Sequence, residues 1–219
     1  MDLQALWTTL KLASLTVLLL LIVGMPLAWW LARTRSRWKI PLEATTALPL
    51  VLPPTVLGFY LLIFLGPAGP MGAILGQPLS FTFTGLVLAS CVYSLPFVVQ
   101  PLQTALEELD WAQIEAAWTL GASRTRAFIS VILPQIQRAL LTAVVLGFAH
   151  TMGEFGVVLM VGGNIPGQTQ VISIAIYEHV EALDYAAAHR LSLGLLVFSF
   201  LVLFTVYSMI RLWRGERLR

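Results

Sequence analysis

Two ionisable side chains, His150 and Glu154, sit four residues apart in an otherwise apolar run. On a helix that spacing puts both on one face. Ionisable groups at membrane depth are costly, and they mark either a pathway or a buried pair. Three kinds of chemistry would use this pair. A proton relay would hand protons between the two. A metal site would use imidazole and carboxylate ligands, but no HExxH occurs, and His179 and His189 fall outside the run. A structural carboxyl would be hydrogen-bonded to a partner helix, or to backbone near a closed gate. The structural role is the expected one.

Other chemistry has little to work with. The lysines are Lys11 and Lys39, and no GxxxxGK[ST] phosphate loop is present. If ATP drives this protein, another chain must bind it. Cys91 is the single cysteine and lies in an apolar run, which excludes an internal disulfide and a thiolate metal cluster. No nucleophile–base constellation is visible, and nothing points to nucleic acid.

The elements that must position these residues are membrane spans. The chain is 58% hydrophobic and only 11% charged, against about a quarter charged for soluble domains. Its mean hydropathy is +0.85. Five apolar runs have the length needed to cross about 30 Å of hydrocarbon: about 10–31, 44–65, 83–104, 139–161 and 191–213. The first could instead be a cleavable signal. It is longer than such a signal, lacks a basic leader, and is followed directly by Arg33, Arg35, Arg37 and Lys39. An uncleaved span is expected.

The second run carries Pro49, Pro53, Pro54 and Gly58. Broken helices at membrane depth are tolerated where protein or a water-filled cavity satisfies the freed backbone. This run is therefore expected to line a pathway, with a kinked scaffold helix as the plainer alternative. An uncharged Gly/Pro-rich loop, 66–77, follows. The third run turns polar toward its end, through Tyr93, Ser94, Gln100, Gln103 and Thr104, which should face other helices.

Between the third and fourth runs, 107–134 holds a polar segment, EELDWAQIEAAWTLGASRTRAFISVILP. Apolar Leu109, Ala112, Ala116 and Leu120 recur at helical spacing, predicting a helix over 107–120. Gly121 should end it as a left-handed cap. A second short helix is expected from Ser123, with Pro134 marking the turn into the next span. Ala116 and Ala117 would let a partner approach the backbone, and Arg124 and Arg126 would meet acidic groups.

All lysines and arginines except Lys11 and Arg190 fall on one side of this arrangement. By the positive-inside rule that side is cytoplasmic, the N-terminus is outside and the C-terminus inside. The 107–134 segment is then cytoplasmic. An external segment, 162–189, opens with the turn-forming GGNIPG and continues with Ile172, Ile176, Val180 and Leu183 at helical spacing. A short amphipathic helix against the outer mouth is expected, with Ser173, Glu178 and Glu181 pointing elsewhere. Internal repeats and low-complexity stretches are absent.

The spacing Glu115-Ala116-Ala117, Gly121, then Val131-Ile132-Leu133-Pro134 resembles the EAA loop of ABC importer permeases, with Ala122, Ser123, Arg124 and Arg126 inside it. Gly153-Glu154-Phe155-Gly156, the Asn164-Ile165-Pro166-Gly167 turn, Leu48 to Pro54 and Ala175-Ile176-Tyr177 are similar to the molybdate branch of that family. The resemblance runs from about Trp7 to the last span. It implies an all-α, polytopic transmembrane bundle of the type I (MetI-like) permease fold, one domain over 1–219. It implies residues of an ATPase-coupling loop (Glu115, Ala116, Ala117, Gly121, Ala122, Ser123, Arg124, Arg126, Pro134), a pathway or gate (Pro53, Pro54, His150, Gly153, Glu154, Phe155, Gly156) and an outer mouth (Asn164, Pro166, Gly167).

The implied partners are a second copy of the chain, two copies of an ABC ATPase holding ATP and Mg, an extracytoplasmic oxyanion-binding protein, and the bilayer of a bacterial inner membrane. No cofactor would be bound by this chain. Tungstate or sulfate/thiosulfate permeases share the pattern, and a proton-coupled carrier using His150 and Glu154 is the different-class alternative. An unpaired carboxylate would line an anion pathway poorly, so Glu154 is not an expected substrate ligand. One departure stands out: relatives of this kind often carry arginine where this chain has His150, replacing a fixed cation with a titrating group.

Overall fold

A computed structural model describes residues 2–216, with side chains described as far as Ser208. Among the described residues the chain is all-helical. Five helical runs there are long and apolar enough to cross a membrane: Leu3–Arg33, Pro54–Leu75, Phe83–Glu107, Arg124–Gly153 and Tyr185–Ser208.

Helices α1 (Asp2–Arg33), α5 (Phe83–Glu107) and α8 (Leu133–Gly153) form the centre. Leu20, Ala28 and Leu31 of α1 interlock with Val98, Val99, Leu102 and Leu106 of α5 and with Ile136 and Ala143 of α8. Two threonines within α1 are satisfied locally: Thr8 and Thr9 donate to the carbonyls of Gln4 and Ala5, at 2.9 and 2.7 Å. The α5 N-terminus is capped by the Thr82 hydroxyl, which accepts from Gly85 N–H at 3.1 Å.

The second run is not one helix over 44–65. It divides into α2 (Lys39–Ala47), a 3-10 turn (Leu48–Leu50), and α3 (Pro54–Leu65). Pro54 supplies no N–H and holds Pro53 extended, at φ −55 and ψ 134, so the helix stops and restarts with proline in its first turn. The expected 66–77 loop also differs, since it contains α4 (Pro70–Leu75).

The fourth run differs as well. Expected over 139–161, it ends at Gly153 and resumes as α9 (Gly156–Gly162) after an extended Glu154. At its other end, Pro134 is no turn. Helix α7 (Arg124–Ala127) runs through a π-helical turn (Phe128–Ile132) directly into α8. Leu133 N–H reaches back to Phe128 O, and this wider turn accommodates the proline in a continuous helical run.

The 107–120 helix starts later than expected. Helix α5 continues to Glu107, and α6 is Trp111–Thr119, capped by Asp110. The expected apolar face of α6 also points the wrong way: Ile114 is buried and Trp111 half-buried, while Ala112 and Ala116 are exposed and Leu120 is 89% exposed. Helix α10 (Ile172–Glu181) is present, but it packs through Ile172, Ile174 and Ala175 and leaves Val180 and Leu183 open. Ser173, expected to point away, donates to Glu154 O.

Helix α11 (Tyr185–Glu216) lies along α10 and α8, and from Leu191 onward its side chains are exposed or half-buried, as a lipid-facing span requires. Arg211 and Arg214, counted above in orienting the chain, lie beyond the described side chains, and Arg217 and Arg219 lie outside the described residues.

Candidate functional site

The break between α8 and α9 faces the break that begins α3, and together they enclose a cleft of about 570 Å³. Two glycines make this approach possible. A Cβ at Gly156 would stand 2.8 Å from Pro54 Cβ, and one at Gly58 would stand 2.9 Å from Met160 Cβ and 3.2 Å from Val157 Cα. Pro54, His150, Gly153, Glu154, Phe155 and Gly156 all line the cleft, joined by Thr55, Tyr93 and Met160. Of the expected pathway residues, Pro53 alone lies outside this lining.

Helix α5 supplies the partners of the two ionisable residues. Ser90 donates to Glu154 Oε2 at 2.9 Å, and Ser94 Oγ lies 2.9 Å from His150 Nδ1. Because Glu154 leaves the helix at Gly153, it does not share a helix face with His150, and no hydrogen bond joins them among the described residues. Instead, each meets one member of a serine pair spaced four residues apart on α5. Glu154 is 3% exposed and its Oε1 has no hydrogen-bond partner. The His150 ring stacks on Phe97, with centroids 3.9 Å apart and planes at 25°, and is flanked by Tyr93 at 4.6 Å. Ser90 and Phe97 were not anticipated. The signal was available for the serines, whose spacing of four matches that of the two groups they hold.

A second constellation lies at the far end of α5. Helix α6 is capped by Asp110, whose carboxylate accepts from Ala112 N–H and from Gln113 Nε2, each at 3.1 Å. It ends in a Schellman arrangement: Ala122 N–H donates to Ala117 O at 3.0 Å and Gly121 N–H to Trp118 O at 2.9 Å, with Gly121 at φ +85. Ser123 then caps α7 by accepting from Arg126 N–H at 3.2 Å. The inner side of α6 is held by an aromatic clamp. Trp111 meets Trp29 edge-on at 5.9 Å, and the Arg33 guanidinium lies 3.4 Å over the Trp111 ring.

The outer side presents Glu115, Ala116, Ser123, Arg124 and Arg126, all exposed, with Ala117 and Ala122 half-buried and Pro134 exposed at the start of α8. Nearby, Lys39 bridges Glu107 at 3.0 Å and Glu43 at 3.6 Å. The Glu107 hydrogen bond, reinforced by both carboxylates, holds the Lys39 ammonium above its ordinary pKa.

The expected mouth residues form a third group, away from the cleft. Asn164 accepts from Gln170 Nε2 at 2.8 Å, and Gln170 also donates to Glu178 at 2.8 Å. Pro166 and Gly167, the latter at φ +75, complete the turn above the first residues of α1 and α5. On α10 the hydrogen bond to Glu181 raises the Tyr177 hydroxyl above its usual pKa.

Known proteins match both the sequence and this geometry. The family model for the binding-protein-dependent transport system inner membrane component matches residues 24–216. The chain is 57% identical to the molybdenum transport system permease protein ModB of Azotobacter vinelandii, covering 98% of this chain and 96% of that one. It is 40% identical to ModB of Escherichia coli K12, covering 81% and 80%, and 37% identical to the sulfate transport system permease protein CysT of Salmonella typhimurium, covering 86% and 69%. Among solved structures, the fold is similar to a bacterial ABC transporter involved in alginate import, with TM-score 0.77 at 18% identity, covering 95% of this chain and 78% of that one. It is also similar to the inward-facing MetNI methionine transporter, with TM-score 0.74 at 18% identity, covering 95% and 94%.

Proposed function

This chain belongs to the family of binding-protein-dependent transport system inner membrane components, and from that premise we propose that it is the permease of an ATP-driven molybdate importer. The observation that carries the substrate is the 57% identity to a molybdenum permease over almost the whole of both chains. As a subunit it spans the inner membrane and has no ATPase site of its own. Two copies of a separate ATPase hold ATP and Mg, an extracytoplasmic binding protein delivers the anion, and a second copy of the chain completes the pathway. The N-terminus is outside and the C-terminus cytoplasmic, an arrangement supported by the distribution of lysine and arginine.

In this reading 107–134 is the cytoplasmic coupling element. Its caps, Schellman turn and aromatic clamp make it stiff, and a stiff element transmits a push from a closing ATPase pair. Exposed Glu115, Ala116, Leu120, Arg124 and Arg126 form the docking face. The push passes through the continuous run from α7 into α8 and reaches the α8–α9 break. The cleft there, bordered by proline-started α3, is this subunit's share of the pathway, and 162–189 forms the extracytoplasmic mouth. A proton-coupled carrier gains no support from the geometry, because His150 and Glu154 are bonded to separate serines rather than to each other.

The test is reconstitution of the chain with its ATPase and binding protein, followed by ATP hydrolysis with molybdate, tungstate and sulfate in turn. Stimulation by molybdate and tungstate but not sulfate is expected. Stimulation by sulfate alone would keep the importer and move it to the sulfate branch, for which the likeness to CysT is the supporting observation. Uptake that follows a proton gradient without ATP would overturn the reading.

A further inference from the structure

The hydrogen bonds around His150 fix which of its nitrogens carries a proton. Thr151 Oγ1 lies 2.9 Å from Gly147 O, a carbonyl that can only accept, so the single hydroxyl hydrogen of Thr151 is spent there. Ser94 Oγ lies 2.9 Å from Thr151 Oγ1, and with that hydrogen spent Ser94 must be the donor. The one hydrogen of Ser94 is then spent too. Its 2.9 Å contact with His150 Nδ1 therefore requires Nδ1–H to donate. A neutral imidazole has one N–H, so Nε2 is left as a bare lone pair. That nitrogen has no hydrogen-bond partner among the described residues, and the ring lines the cleft.

We infer that His150 is an anion-contact residue of the cleft that works only as an imidazolium, so that an oxyanion is held there with uptake of one proton on Nε2. This deepens the proposed function and rests on it. In the neutral ring the nitrogen left free is an acceptor, which repels the oxygens of a tetrahedral oxyanion. Protonation turns the lone pair into a charge-assisted donor while Nδ1–H stays on Ser94. The proton comes from water, no covalent bond to the anion forms, and a dianion then adds one net negative charge to the cleft instead of two.

The surroundings suit that role. The face of Phe97 and the tilted ring of Tyr93 hold the imidazole in place, and aromatic faces attract a cation. No lysine or arginine lines the cleft to do the work instead. The titratable groups facing the ring are Tyr93 from α5 and Glu154 from the α8–α9 junction, while α3 and α9 contribute none to the lining. Glu154 accepts from Ser90 on α5 and makes no hydrogen bond to the ring.

The experiment uses the complete transporter in vesicles, with molybdate uptake and molybdate-stimulated ATP hydrolysis followed from about pH 5.5 to about pH 8.5, the range around ordinary imidazole titration. Wild type is compared with His150→Arg, which keeps a donor at every pH, with His150→Gln, and with Ser94→Ala. The ratio of wild type to His150→Arg should fall with rising pH, approaching about tenfold per unit once the ring is mostly neutral. Ser94→Ala frees Nδ1, allows the other tautomer, and should flatten that fall. If His150→Arg does not fold, the ratio to His150→Gln serves, since glutamine does not titrate. Parallel profiles with uptake intact would overturn this inference alone. Absence of oxyanion-stimulated hydrolysis at every pH, in wild type and variants, would overturn the importer reading as well.

Discussion

The segment around α6 and the cleft around His150 are built by opposite rules. In the segment, nearly every decisive contact is short-range: Asp110 to Ala112, Ala122 to Ala117, Ser123 to Arg126. In the cleft most of the decisive contacts are long-range: Ser90 to Glu154, Ser94 to His150, Pro54 against Gly156. The first region is a stiff local device that can be pushed. The second is a junction between helices whose breaks coincide in space, and it can open or close when they shift. Under the proposed function, a coupling element and a gate require this difference.

The comparison is broken most directly at Gly121. Its φ of +85 is closed to proline, and its N–H donates to Trp118 O. Gly121→Pro should cost about 3 kcal/mol locally and abolish stimulation of ATP hydrolysis by the loaded binding protein. The thermal midpoint of the spans, followed by tryptophan fluorescence in detergent, should change little. Gly121→Asn, which tolerates the left-handed conformation, should retain coupling. Normal uptake by the proline variant would defeat the assignment of 107–134 as the coupling element.

Gly156→Val probes the other region and should behave in the opposite way. Its Cβ would press on Pro54 at 2.8 Å, and such overpacking costs about 1–3 kcal/mol. Because the strain lies between α3 and α9, it should lower the thermal midpoint of the whole chain along with uptake. If uptake fell while the midpoint and the ATPase response stayed at wild-type values, the cleft would be a passive opening and not a packed junction.

That contrast also explains what could be read from the sequence. Spans show themselves by apolar length, so five were expected and five helical runs qualify. The left-handed Gly121 and the Ser123 start were legible because caps are local. Periodicity misled on faces: Ala112, Ala116 and Leu120 share helical spacing with the buried Leu109 yet are exposed, and Ile114 and Trp111 take the inside because Trp29 and Arg33 wait there. The same happened on α10, where Val180 and Leu183 stay open. The Glu154 helix break was hidden, since only the approach of Pro54 and the Ser90 bond show why the chain leaves the helix. The matching spacing of Ser90 and Ser94 was there to be read, but not that the break after Gly153 would bring them opposite Glu154 and His150.

A smaller effect is expected at the α6 cap. Asp110→Ala removes acceptors for Ala112 N–H and Gln113 Nε2, worth about 1 kcal/mol for a capping residue. The measurement is the ATP concentration dependence of coupled hydrolysis, with Asp110→Asn as the rescuing control. A partial loss of coupling that asparagine restores would sharpen the view that stiffness matters. No change in either variant would show that the aromatic clamp alone holds α6.

The smallest effect belongs to Lys39. Its ammonium ties α2 to the end of α5 through Glu107, beside the start of the coupling segment. Its folded pKa is raised by that hydrogen bond, so the stabilisation is fully present below the ordinary lysine value of about 10.4. It is lost only as pH climbs through the raised value. Across the working range of a transporter, this bridge should therefore contribute no pH dependence at all. Lys39→Gln should move the thermal midpoint by about a degree or less, as for other exposed pairs. Uptake should keep its pH profile. A Lys39→Gln profile displaced near neutral pH would mean that the bridge, and not the imidazole, sets the charge the pathway responds to.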